Sequence, residues 1–170
     1  MNPRRDAPTL RTYGTMKPQP TPILLEQIRL AMAHFGDDLQ PACMPTEIKT
    51  FKSKFAASFH CSPATAYLQL LSISDGLRYN GVQVYGSKRR KSVNSSSTTI
   101  EGIFSANRWI RKDRRDAFDD LVVYGRGDMD LFVYDVPAKL FRLRSHGGDD
   151  LEEHPTFESL MARAFRGRLP

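Results

Sequence analysis

The apolar pattern of this chain changes period at Asp75-Gly76, and that change restricts the fold more than any other feature. Before it, apolar residues recur at helical spacing; after it, they alternate. Residues 23–35, ILLEQIRLAMAHF, place Ile23, Leu24, Ile28, Ala31 and Phe35 on one helical stripe, with Gly36 as the stop. Residues 46–60 predict a second helix, with Thr46 as N-cap and Glu47 at the positive end of the dipole. Its stripe is Ile48, Phe51, Phe55 and Phe59, with lysines opposite. Ser62 and Pro63 predict the start of a third helix that buries Tyr67, Leu70, Leu71 and Ile73.

Past Asp75-Gly76, residues 81–86 alternate as a short strand between two glycines. Three further strands are predicted at Leu121–Tyr124, Leu131–Asp135 and Lys139–Arg144, the first a continuous apolar run of the kind a central strand carries. Turns at 125–128 and 136–138 give them the spacing of an antiparallel meander. A last helix, capped by Thr156, turns Phe157, Leu160, Met161, Ala164 and Phe165 inward. This order predicts an α+β fold: N-terminal helices on a mostly antiparallel sheet of about four to six strands, closed by a C-terminal helix.

The rest is polar or proline-rich. Residues 1–22 hold five prolines and no apolar period, so they read as an extended tail, with Met16 a second available start. Residues 23–170 then form a single domain, a normal size for one core. SKRRKSVNSSSTT (87–99) reads as a mobile loop and 146–154 as a polar one. Ile100–Asp116 suggests a helix or irregular segment, with Trp109 in the core beside Ile103, Phe104 and Ile110.

Charge is the compositional anomaly. The net charge is +6, and it is not spread evenly. Residues 86–115 hold nine bases and two acids, whereas 116–154 hold four bases and ten acids. The basic clusters, 88–91 and 108–115, raise a nucleic-acid reading, with Trp109 as a stacking surface. The acidic stretch beside them repels phosphate and makes that the lesser alternative.

Catalytic signatures are missing from the sequence. It has no GxSxG elbow, no GxxxxGK[ST] and no GxGxxG. Cys43 and Cys61 are too far apart for a CxxC motif and read as reduced thiols. His34 and His60 fall at helix ends, where an imidazolium suits the dipole. His146 and His154 flank GGDDLEE at irregular spacing, and Asp128-Met129-Asp130 sits in a turn that favours aspartate. The expectation is therefore a protein without enzymatic activity or cofactor. No apolar run reaches the ~20 residues of a membrane span, and the N-terminus lacks a signal-peptide core. A cytoplasmic protein without membrane contact follows as an expectation.

The order of several weak motifs resembles one family. Residues 67–76, YLQLLSISDG, resemble the YxxFLxxxNG helix end of the SUKH superfamily (Smi/Knr type), with Tyr67 and Leu70 in place and Asp75-Gly76 for Asn-Gly. Residues 79–86, YNGVQVYG, resemble its next strand, and 121–135, LVVYGRGDMDLFVYD, its hairpin, with Gly125 and Asp135 in the characteristic places. Arg78-Tyr79-Asn80-Gly81 and Phe104-Ser105-Ala106-Asn107 are closest to the YrhA-like branch. The resemblance covers roughly residues 45–166, while the serine-rich 92–97 insertion and the tail depart from it.

The resemblance implies a bacterial immunity protein that neutralises a cognate protein toxin by binding it, with no active site or cofactor. Gly76, Gly86, Gly125 and Asp135 are then turn and capping residues rather than a binding site. Toxin contact is expected on charge-patterned surface: Arg111, Arg114 and Arg115 on the basic side, Asp128, Asp130, Asp149 and Asp150 on the acidic side. A monomer or weak dimer, meeting a partner that carries patches of both signs, completes the expectation.

Overall fold

The computed structural model describes residues 18–113 and 118–170. Three helices come first: α1 (Thr21–Ala33), α2 (Pro45–Phe59) and α3 (Thr65–Ile73). A hairpin follows, β1 (Leu77–Tyr79) and β2 (Val82–Val84), then the short ladder β3 (Arg90–Lys91) and β4 (Thr99–Ile100). Helix α4 (Ile103–Asp113) precedes β5 (Leu121–Arg126), β6 (Asp130–Asp135), β7 (Leu140–Ser145) and β8 (Asp150–His154). Helix α5 (Phe157–Ala164) closes the fold. The sheet order is β1-β2-β5-β6-β7-β8, antiparallel at every pairing. The α+β expectation holds, helices first and a C-terminal helix after the strands.

Strand β5 is third in the sheet, and Leu121, Val122, Val123 and Tyr124 are all buried. Packing on both faces explains why its sequence is continuously apolar. Tyr124 forms the centre of an aromatic core, edge-on to Tyr67 of α3 at 4.8 Å and near Phe157 of α5 at 5.4 Å. Phe51, Phe55 and Phe59 of α2 line up beside it. Burial of each such ring stabilises the fold by roughly 1.5–3 kcal/mol. Tyr67 also donates its hydroxyl hydrogen bond to the Tyr85 carbonyl at 2.8 Å, so its polar tip is satisfied inside the core.

Helix α4 does something a strand would otherwise do. Strand β2 pairs with β5 at Gly125 and Arg126, and the Tyr85 N–H donates to the Tyr124 carbonyl at 2.9 Å, leaving residues 121–123 of that edge without a strand. Asn107, 2% exposed, accepts from the Val123 N–H and donates to the Val123 carbonyl, both at 2.8 Å. One turn on, Arg111 donates to the Leu121 carbonyl at 3.0 Å. Two side chains at i and i+4 thus replace the ladder, as buried backbone groups require.

Several expectations need correction. Helix α1 starts at Thr21, because Pro22 in its first turn lacks only an N–H that a helix start does not use, so the tail ends short of residue 22. Residues 1–17 lie outside the described residues. Ile23 and Phe35 are exposed at 52% and 76%; Leu24, Leu25, Ile28 and Met32 carry the buried face instead. Helix α2 is capped at Met44, whose N–H donates to Glu47 at 2.9 Å, with Pro45 in the first turn, so Thr46 is not the cap. Helix α3 starts at Thr65, beyond Ser62 and Pro63, and Ile73 is not buried.

The two polar segments expected as loops are ordered. Residues 87–99 contain β3 and the first residue of β4, and the Asn94 side chain both accepts from the Asp38 N–H and donates to the Asp38 carbonyl, while Gln40 accepts from the Val93 N–H. Residues 150–154 form β8, whose Glu153 and Asp150 face Arg142 and Arg144 of β7. Trp109 is not a core residue: it is 67% exposed. Thr156 caps α5 as expected, accepting from the Ser159 N–H at 3.2 Å. No helix among the described residues is long and apolar enough to cross a membrane.

Candidate functional site

Three of the four bases of the run 88–91 form ion pairs within the fold. Lys88 reaches Glu47 of α2 at 2.8 Å, and Arg89 reaches Glu101, just before α4, at 3.4 Å. Arg90 pairs with Asp75, the fully buried residue that follows α3. The Ser87 N–H and hydroxyl also donate to Asp75, at 2.5 and 2.9 Å. Three consecutive bases thus tie one segment to three different stretches of chain. The Lys88 ammonium, then the Met44 N–H, hold the Glu47 carboxyl below its usual range.

The other sequence-derived candidates divide between opposite ends of β5. Arg111 is half-buried, bonded to Leu121 at the first residue of the strand and lying 5.3 Å over the Phe59 ring. Arg114 and Arg115 lie outside the described residues. The aspartates gather at the far end, where the His146 N–H donates to the Met129 carbonyl at 3.3 Å and joins the β5–β6 and β7–β8 turns. There Asp128 meets Arg168 at 3.3 Å, while Asp150 meets Arg142 at 2.8 Å and Arg144 at 3.3 Å. Asp149 is held in its turn by Ser145, and Asp130 is half-buried at the start of β6. Arg111, the one basic candidate among the described residues, is therefore separated from the acidic candidates by the length of a strand.

What the structure brings forward instead is Trp109. Helix α4 buries Ile103, Ala106, Asn107 and Ile110, and that choice of face sends residue 109 to the flank. Trp109 there borders an open groove of about 580 Å³, whose apolar surface includes Tyr85, Ile110, Phe118 and Leu131. Arg89, Glu101, Asp113, Arg126 and His146 supply the polar lining. Burial pushes the Tyr85 phenol up to about 12, so it keeps its proton at neutral pH. Met129 stands 75% exposed in the β5–β6 turn, against the turn that carries His146. The signal for this site was Asn107, a polar residue among apolar ones at helical spacing: once it faces the core, the tryptophan cannot.

Elsewhere, the side chains offer little reactivity. Both cysteines are free, and burial pushes the Cys43 thiol up to about 11 and raises that of Cys61. Thiols so shifted are protonated and poor nucleophiles. His154 is held below its usual value by burial, against the pull of Glu152 at 3.5 Å. Two grooves among the described residues offer recognition chemistry: the Trp109 groove, which can hold an apolar side chain between charged rims, and a second of about 970 Å³ beside the exposed Leu30 and Phe35. No family model, curated protein or solved structure matches this chain.

Proposed function

We propose that this protein is a SUKH-type immunity protein, acting in the cytoplasm by binding a toxin protein, with the Trp109 groove as its contact surface. The observation that carries the reading is a tryptophan 67% exposed beside a preformed groove. Tryptophan, tyrosine, methionine and arginine are the residues enriched in interface centres, and all four occur here or at the adjoining turn. Residues shared with the SUKH pattern support the same reading by being structural. Gly76 has φ +89°, Gly86 packs on the Asp75 backbone, Gly125 sits in the β5 bulge, and Asp135 accepts from the Ala138 N–H at 2.9 Å. Co-expression with a toxin encoded beside its gene tests the proposal: protection and a co-purifying complex are expected, both lost with Trp109→Ala. Survival no better than the toxin alone, with no complex, overturns it.

A second reading has one observation in its favour, the exposure of Trp109 next to Arg108. Single-stranded nucleic acid could stack there. The ion pairing of Lys88, Arg89 and Arg90 counts against it, because each of these bases already faces a carboxylate and Arg90 is mostly buried. Binding to a short thymidine strand that weakens steeply with salt would favour this reading.

A further inference from the structure

We infer that the second groove, beside the end of α1, takes an apolar segment of a second partner protein that carries a carboxylate, held by Arg166. This groove shares no lining residue with the Trp109 groove, and the inference does not rest on the immunity reading.

Helix α1 turns Leu24, Leu25, Ile28 and Met32 into the core, so Leu30, half a turn from Ile28, comes out on the far side. There Leu30 is 57% exposed, and Phe35 more so. Both border the groove, and Tyr79 of β1 with Phe165 and Leu169 of the C-terminal segment completes its apolar lining. Gly167 turns that segment at φ +69°, and Arg168 fastens it to the Asn80 carbonyl and to Asp128. The walls are therefore held in place before anything binds, which keeps the ordering cost of binding low.

Charge chooses the occupant. The groove is lined by Arg166, Arg168 and His34, and by no aspartate or glutamate. Pro170 borders it as well, and no ion pair joins it to either arginine. Arg168 is engaged by Asp128, but the Arg166 guanidinium has neither an ion pair nor a hydrogen bond among the described residues. Its Nε is shut off from water, while its terminal nitrogens are not. A charge taken partly out of water and left unpaired is unfavourable. An incoming carboxylate relieves that with a charge-assisted bond to the guanidinium, while the apolar lining takes the neighbouring side chains.

Two other occupants fit less well. Residues 1–17 of the chain lead to Gln19, which lines the groove, but they hold four bases against one acid and would set like charge beside Arg166. A second copy docked two-fold through this surface would set Arg166 against its own equivalent, again without a carboxylate.

The test uses the full chain and random twelve-residue peptides displayed on phage, selected on the parent and depleted on Arg166→Glu. Recovered peptides should carry net negative charge beside a leucine, phenylalanine or similar anchor. Synthesised and titrated by fluorescence anisotropy, they should bind Arg166→Glu at least about tenfold more weakly, the loss expected when one partner of a charged contact is reversed. Phe35→Ser should weaken them by about the same factor, as removal of an interface anchor does. Circular dichroism checks that both variants remain folded, Phe35 being exposed and the Arg166 guanidinium unbonded. If Arg166→Glu does not fold, Phe35→Ser alone decides. Peptides without acidic bias, undiminished binding by either folded variant, or no recovered peptide at all would overturn the inference. So would binding lost with Trp109→Ala, which puts the peptides in the other groove. Self-association of the parent that Phe35→Ser abolishes would put a second copy there, and tighter binding to phosphatidylglycerol vesicles than to the peptides would put a membrane there; either result overturns it.

Discussion

Asn107 and Trp109 are two residues apart on one helix and have opposite duties. Asn107 satisfies both backbone groups of Val123 from a fully enclosed position. Asn107→Leu keeps the volume but strands a buried N–H and carbonyl, at a cost of roughly 1–3 kcal/mol for each. Urea unfolding should therefore show a loss on the order of 2–6 kcal/mol. Trp109→Ala, on the exposed flank, should fall within about 0.5 kcal/mol of the parent in the same assay. Gly76 offers a third case. Its φ is +89°, and an added Cβ would lie 2.5 Å from the Ile100 side chain and 2.9 Å from the Gly86 nitrogen. Gly76→Ala should destabilise by more than about 1 kcal/mol, since strain and collision add.

At the scale of elements, the segment 87–91 is a clasp. Its three ion pairs differ in worth because their surroundings differ. Asp75 is fully enclosed and Arg90 mostly buried, whereas Lys88 and Arg89 keep most of their surface in water. Removing the partner of a buried charge costs up to about 3–5 kcal/mol, while an exposed pair contributes about 0–1 kcal/mol. Arg90→Ala should thus lower the melting temperature by many degrees, and Lys88→Ala or Arg89→Ala hardly at all. The run of four bases looks uniform in sequence, and nothing in its spacing tells that one of them enters the core. Strand β8 was illegible for a related reason. DLEEH has one apolar residue, and the strand persists because Glu153 and Asp150 meet Arg142 and Arg144 across the ladder. By contrast, α2 and β5 to β7 were readable, because burial of one or both faces had written their period into the residues. The β1–β2 hairpin carried its own signal in Asn80-Gly81, both at positive φ, which suits a two-residue turn.

For the whole molecule, pH acts through the closing elements. His154 ends β8 and is held below its ordinary value of 6.5, first by burial. The unfolded chain therefore binds this proton more readily than the folded one. Stability from this group is fully present above pH 6.5 and is lost as pH falls through the lower folded value. Thermal unfolding from pH 7.5 down to 5 should show that loss, and His154→Gln should flatten that part of the profile. The charge pattern also changes meaning at this scale. Much of the acidic stretch faces Arg142, Arg144, Arg163 and Arg168 within the fold, and Lys88, Arg89 and Arg90 face carboxylates, so neither is a bare patch. The sequence told where charge lies along the chain, but only the packing told which charges remain to meet something else.

The side-chain ladder from α4 to β5 has a last consequence, for how this protein behaves in company. An unpaired strand edge invites a strand from another molecule, and a long apolar one such as β5 invites it strongly. Asn107 and Arg111 occupy that edge with groups that leave no room for a foreign backbone. Their loss would free an adhesive stretch in the middle of the sheet, so concentrated samples of the Asn107 variant should turn cloudy and bind amyloid dyes before they finish unfolding.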